Sequence, residues 1–290
     1  MKVVLTGEGS DELLAGYYRY RTTLLNLSAG RLYHRFSTDG IRRLVRGFAA
    51  GLAPDSLARK LRRTFLWRSA DIDALYFDNF AVFTRDMQRD LFSKNLRGQL
   101  EQVNPYAGMR RYFDAPSSAS LLQRLLYADL KTYLHELLMK QDQMSMAASV
   151  ESRVPFLDHK LVEFSTALPD RLKLRGWTTK YVLREAMKGL LPESILRRGK
   201  RGFPAPLGRW FRGEFRPLLD EFVVGERAIA RGHFEYDFLQ RLVEEHAAER
   251  ADHTERLWTL VNFEMWQRHF LDGEPLKGAL PQIDEVLRPR

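Results

Sequence analysis

Apolar positions along this chain recur mostly at helical spacing. From Ser120 to Ala148 they fall at Leu122, Leu126, Leu130, Tyr133, Leu137 and Leu138, which predicts one long amphipathic helix. Near the end, Trp258, Val261, Met265 and Trp266 recur at i, i+3, i+7 and i+8 and read as a core stripe. Thr178 or Thr179 is placed to cap a helix running through Tyr181, Val182, Ala186 and Met187, and Pro192 suits the first turn of the next one. Val154-Pro155-Phe156 interrupts the helical pattern, because the residue before a proline avoids the helical region. After Gly273 the pattern dissolves into Pro275, Gly278, Pro281 and Pro289, an irregular tail over 273–290.

Only one stretch, residues 2–6, reads clearly as a strand. A lone strand makes no sheet and exposes an edge. The strand is therefore expected either to pair with something outside the chain or to be part of a larger protein, with the sequence truncated at its N-terminus. No internal repeat or low-complexity tract is present.

The composition is that of a globular protein: 290 residues, 44% apolar and 29% charged. No apolar run approaches the roughly 18–20 residues of a spanning helix. No secretion signal opens the chain, so no membrane association and a cytoplasmic location are expected. The absence of cysteine excludes disulfides, thiolate metal sites and a cysteine nucleophile. The seven histidines lack metal-ligand spacing, and His135-Glu136 has no second histidine for H-E-x-x-H.

The net charge of +9 is unevenly spread. Arg31 to Arg68 holds ten Lys/Arg against Asp39 and Asp55. Such a run suits a polyanion or a solvated helix face, and without an RNA-binding signature or aromatic platform it reads as the latter. Nucleic acid is not expected as a partner.

Three segments carry chemistry. The first, TGEGSDELLAGYYRY from Thr6 to Tyr20, follows the strand. It begins like G-x-G-x-x-G, but Glu12 replaces the third glycine, and no Gly-Lys-Ser/Thr follows. Gly7 and Gly9 permit close backbone approach, and a helix start near Ser10 favours negative charge. Asp11 and Glu12 suit a first helical turn electrostatically, whereas Glu8, between two glycines, is open to either a structural or a chemical role. The second segment, DQMSMAASVESRVPFLDH from Asp142 to His159, carries Glu151 and Arg153, which by residue-level physics form a structural ion pair. The third, RRGKRGFPAP, sets Lys200 and Arg201 between Gly199 and Gly202. It reads equally as a loop that closes over an anion or as a basic surface loop.

In this order, with TTKYVLREAM between the last two, the segments resemble the synthetase domain of glutamine-dependent asparagine synthetases. That family shows S-G-E-G-S-D-E-x-x-G-G-Y, D-x-M-S-M-A-x-S-x-E-x-R-x-P-F-L-D, a T-K-x-x-L-R helix and a lysine loop. The resemblance runs from Val3 to about Leu271. It implies a predominantly α-helical remnant of an α/β adenine-nucleotide α-hydrolase-like (Rossmann-like) domain, residues 1–272, with one clear strand near the N-terminus. It implies ATP and Mg²⁺ as cofactors and aspartate as substrate. The side-chain carboxylate is activated as a β-aspartyl-adenylate, and AMP is displaced by ammonia from a glutaminase domain.

Carried over by position, Thr6, Gly7, Gly9 and Ser10 contact ATP and Asp11 holds Mg²⁺. Glu8 acts at the reacting centre, and Lys200 stabilises charge on the leaving group. Lys180 and Arg153 contact phosphate or substrate, with Glu151 in support. A carboxylate beside a triphosphate is unfavourable unless a divalent cation lies between them, which agrees with that role for Asp11.

Departures from the pattern are Thr6 for serine, Ala15 for glycine and Gln143 for arginine. The S-G-G-x-D-S pyrophosphate loop and the glutaminase domain are missing, so the isolated chain is expected to be inactive, with a glutaminase domain or missing N-terminal half as partner. A homodimer is a further expectation. Alternatives are an amidotransferase acting on another carboxylate, a non-catalytic fragment, or half of a split enzyme.

Overall fold

The structure, a computed structural model, describes residues 2–52, 55–116, 118–199, 202 and 205–275. The chain forms two compact units: residues 1–79 with 104–200, and residues 80–103 with 201–290. Helices dominate both, and the described strands are two or three residues long.

In the first unit, strand β1 (Val3–Leu5) lies parallel to β2 (Glu151–Arg153), pairing Val3 with Glu151 and Leu5 with Arg153. The expectation that β1 finds no partner within the chain is thereby corrected. Glu-Ser-Arg lacks apolar alternation, so β2 is defined by its hydrogen bonds, such as Glu151 N–H to the Lys2 carbonyl at 2.8 Å, and not by its composition. Helix α1 (Ser10–Leu13) follows β1, then α2 (Tyr18–Phe36) and α3 (Asp39–Leu52). Leu13, Tyr20, Leu75, Leu122 and Leu125 are buried here. The basic cluster of α3 is partly tied down, since Arg46 Nε donates to the Leu66 carbonyl at 2.6 Å.

The single helix expected over 120–148 is two, Leu121–Lys131 and Tyr133–Ala147. Thr132 (φ −125°, ψ −77°) breaks it, with its hydroxyl donating to the Ala128 carbonyl at 2.7 Å. A residue whose side chain competes for backbone carbonyls readily interrupts a helix. Thr178–Thr179 does not cap a helix either. It is strand β4, antiparallel to β3 (Leu174–Arg175), and Lys180 stands at the N-cap of the following helix, Tyr181–Ala186.

The second unit packs the helices Arg216–Phe222, Tyr236–Ala247 and Thr254–Phe270 around Phe211, Leu219, Phe222, Leu239 and Leu257. Trp258 and Trp266, expected in the core, are 42% and 49% exposed. The buried stripe runs instead through Leu257, Leu260, Val261, Glu264 and Arg268. Glu264 accepts from Arg268 at 2.9 Å and from Arg231 at 2.6 Å, and such pairing lets charge lie inside while the large rings stay at the edge. Among the described residues no helix is long and apolar enough to cross a membrane.

Candidate functional site

The site grows from the end of β1. Thr6 N–H donates to the Arg153 carbonyl at 2.9 Å, and the Gln141 amide donates to Thr6 Oγ1 at 2.6 Å and also to Ser152 Oγ. The chain then turns through Gly7-Glu8-Gly9, closed by Ser10 Oγ donating to the Gly7 carbonyl at 2.7 Å. Gly9 has φ +86°, and a Cβ there would overlap the Leu157 side chain, so glycine is required on both counts. Among the described residues nothing lies within 4 Å of where a Cβ on Gly7 would point, which leaves room there for a ligand. Glu8 is half-buried and has no ion pair among the described residues.

Lys180 reaches this loop from far along the sequence. Its ammonium lies 3.0 Å from Asp11 Oδ1 and donates to Ser10 Oγ at 2.9 Å. The pair fits only because residue 16 is glycine: a Cβ there would overlap Asp11 Oδ1 and Lys180 Cε. Lys180 N–H also donates to the Leu14 carbonyl at 3.1 Å. The β3–β4 hairpin just before it is pinned to α2 by Arg21, whose guanidinium lies 4.0 Å from the Tyr18 ring centre and 3.8 Å from that of Trp177.

Beneath α1 lies a buried polar network. Tyr17 donates to Glu12 Oε1 at 2.5 Å, and Glu12 is fully buried. Burial pushes the Glu12 carboxyl above its ordinary range, only partly opposed by the Tyr17 hydrogen bond, and burial likewise pushes Tyr17 up. Asp129, also fully buried, pairs with Arg19 at 2.6 Å, accepts from Tyr20, and accepts from Tyr76 at 3.0 Å. Burial, then the Asp129 charge, holds both tyrosines well above their usual range.

The fold thus brings together Thr6, Gly7, Glu8, Gly9, Ser10, Asp11 and Lys180. Arg153 joins them through its backbone, while its guanidinium pairs with Glu151 at 2.8 Å. These two side chains are 63% and 52% exposed, so the pair contributes about 0–1 kcal/mol. Lys200 lies outside the described residues. Sequence reasoning missed Gln141, Gly16 and the burial of Glu12. Gly16 and Tyr17 did sit in a recognisable motif, but nothing local marks Glu12 as buried or Gln141 as the link between the two strands.

The donor set suits a cation that brings its own ligands. Mg²⁺ takes one or two carboxylates along with phosphate oxygens and water. Asp11 supplies one carboxylate and Glu8 lies in the same loop. No group of three or more His, Asp or Glu is placed to hold a metal among the described residues.

The family model described as asparagine synthase matches residues 1–268. Glutamine-hydrolysing asparagine synthetase 1 of Bacillus subtilis (strain 168) is 32% identical over 270 residues, 91% of this chain and 40% of that protein. The amidase chyE of Penicillium rubens is 26% identical over 305 residues, 97% of this chain and 43% of its own length. A glutamine-hydrolysing asparagine synthetase of Gallus gallus is 34% identical over 145 residues, 45% of this chain and 25% of its own length. The chain therefore spans about two fifths of the length of the first two relatives. No solved structure gives a significant match. With nine tenths of its length under one family model, the chain belongs to the asparagine synthase family.

Proposed function

We propose that the chain carries the ATP-dependent step of amide formation on aspartate. The side-chain carboxylate attacks the α-phosphorus of ATP, pyrophosphate leaves, and ammonia displaces AMP from the β-aspartyl-adenylate. The observation supporting this reading is the meeting of Ser10 and Asp11 with Lys180 at an open glycine loop in a chain of this family.

In this reading Thr6, Gly7, Gly9 and Ser10 line the nucleotide. Asp11 holds Mg²⁺, which when bound neutralises phosphate charge. Lys180 and Arg153 contact phosphate or substrate, with Glu151 orienting Arg153. Glu8 acts at the reacting centre, and Lys200 stabilises the departing pyrophosphate. Residues 1–272 form one synthetase-type domain, and most of the tail expected over 273–290 lies outside the described residues. The nitrogen comes from a glutaminase domain, the protein works in the cytoplasm, and a homodimer completes the proposal.

The test is aspartate-dependent ATP–pyrophosphate exchange. No S-G-G-x-D-S segment occurs within these 290 residues. Exchange is therefore expected when the chain is combined with a polypeptide carrying that segment, and not with the chain alone. Glu8→Gln is expected to lower ammonia-dependent amide formation by the combined polypeptides, the step in which the attacking ammonia loses a proton, about 10²–10⁴-fold, the usual share of a proton-transfer group. Exchange driven by a different carboxylic acid and not by aspartate would favour a second reading, an amidase-type acceptor, for which the similarity to the amidase chyE speaks.

A further inference from the structure

Lys180 stands where the proposed chemistry needs a cation. Its ammonium sits 3.0 Å from Asp11 Oδ1 and 2.9 Å from Ser10 Oγ, so the chain neutralises with its own charge the carboxylate assigned above to a metal. Both side chains are mostly covered, 22% exposed for Lys180 and 20% for Asp11. At that depth an ion that loses its partner is costlier than on the surface.

The seat is built for this pair. Residue 16 has no room for a Cβ. Lys180 holds φ +51°, a left-handed conformation unusual for a residue with a side chain, and the surroundings impose it. Ahead of it the hairpin is pinned by the Arg21 stack on Tyr18 and Trp177, with Arg21 Nη1 donating to the Trp177 carbonyl at 2.9 Å. Behind it Arg184 Nε donates to the Thr179 carbonyl at 3.0 Å.

We infer that Lys180 is a stand-in cation that makes the site select a metal–nucleotide complex over the free metal. The inference rests on the reading of Asp11 as the Mg²⁺ carboxylate. A free divalent ion arriving at Asp11 must displace the ammonium and leave it beside a second positive charge with no anion in exchange. A metal–triphosphate complex brings that anion. The metal takes Asp11, and the lysine head, a compact charge on a flexible stem, turns to a phosphate oxygen. Every charge keeps a partner through the exchange, so metal and nucleotide bind with strong mutual reinforcement.

The experiment titrates Mn²⁺ into the intact protein with and without ATP, reading the free ion by electron paramagnetic resonance and counting as bound only the metal retained with the protein on ultrafiltration beyond a protein-free Mn²⁺–ATP blank. Wild type is expected to bind Mn²⁺ weakly alone and much more tightly with ATP. Lys180→Met is expected to raise the affinity for Mn²⁺ alone by about 5–150-fold, the usual range of a coupling between two ligands, and to shrink the reinforcement by ATP in proportion. Lys180→Gln, which keeps a hydrogen-bond donor for Asp11 without the charge, gives the same readout if the methionine variant does not fold. Lys180→Arg is expected to stay as weak as wild type.

Unchanged affinity for Mn²⁺ alone in the neutral variants, with ATP still tightening Mn²⁺ binding to wild type, would overturn the stand-in role and leave Asp11 as a metal ligand. Mn²⁺ binding with ATP that survives Asp11→Asn, or that is absent from wild type, would overturn the Asp11 reading and this inference together.

Discussion

The two units are held together by different material. The second closes mainly around apolar side chains: Phe211, Leu219, Phe222, Leu239 and Leu257 are fully buried, its buried ions Glu264 and Arg268 pair with each other along one helix, and Arg227 and Asp272 lie nearer the surface. In the first, two carboxylates, Glu12 and Asp129, are as deeply buried as any leucine; Asp129 is held by Arg19, Tyr20 and Tyr76, and Glu12 by Tyr17 at one oxygen only. An apolar core stabilises by area removed from water and accepts neighbours of similar volume. A buried ionic core fixes angles and accepts no missing partner. The unit that must hold Asp11 and Lys180 in one geometry is the one built on angles.

The sharpest way to break this comparison is at Asp129. Asp129→Ala leaves the mostly covered Arg19 without its anion and the buried Tyr20 and Tyr76 hydroxyls without their acceptor, and the expected loss is about 3–5 kcal/mol. Hydrogen exchange should show it in α2 and the Leu121–Lys131 helix while the second unit keeps its protection. Equal loss in both units would mean they do not differ as described. Next in size is Leu257→Ala, which opens the apolar core of the second unit and is expected to cost about 2–5 kcal/mol by chemical denaturation. Here the protection lost should be that of the Tyr236–Ala247 and Thr254–Phe270 helices.

The smallest effect concerns pH. Asp272 is bound by Arg231 and Arg227, and these hold its carboxyl at about 2, against an ordinary 3.8. A depressed carboxyl pKa contributes stability that is full above 3.8 and fades as pH falls toward 2. Melting temperatures of wild type and Asp272→Asn should therefore differ at neutral pH and converge through that window.

What the sequence made legible was local. The apolar run of β1, the glycine turn after it and the acids of α1 can each be read within ten residues. What stayed hidden depends on distant partners. Glu151-Ser152-Arg153 has no strand pattern and becomes one only because β1 lies beside it. The 120–148 pattern is continuous as helix, and the break at Thr132 is made by a hydroxyl that periodicity does not weigh. Glu12 looks like a surface acid until Tyr17 and the packing around α1 close over it. For Asp11 and Lys180, motif and resemblance placed both near ATP, but their mutual contact spans most of the first unit and is visible only in the fold.

The parallel pairing of β1 with β2 also sets a timetable. A parallel neighbour requires a long crossover, and here it runs from Leu5 all the way to Glu151: Val3 waits for Glu151, and Asp11 waits for Lys180. At about 5–20 residues per second, a ribosome needs on the order of 10–30 s to deliver the second strand after the first. During that interval the glycine loop lacks Lys180, and β1 lacks the one strand neighbour it has among the described residues. Residues 3–11 thus acquire β2 and Lys180 long after they are made. Slow-translating codons after Lys180, or a chaperone that shields residues 2–6, would act at the moment when this site is assembled.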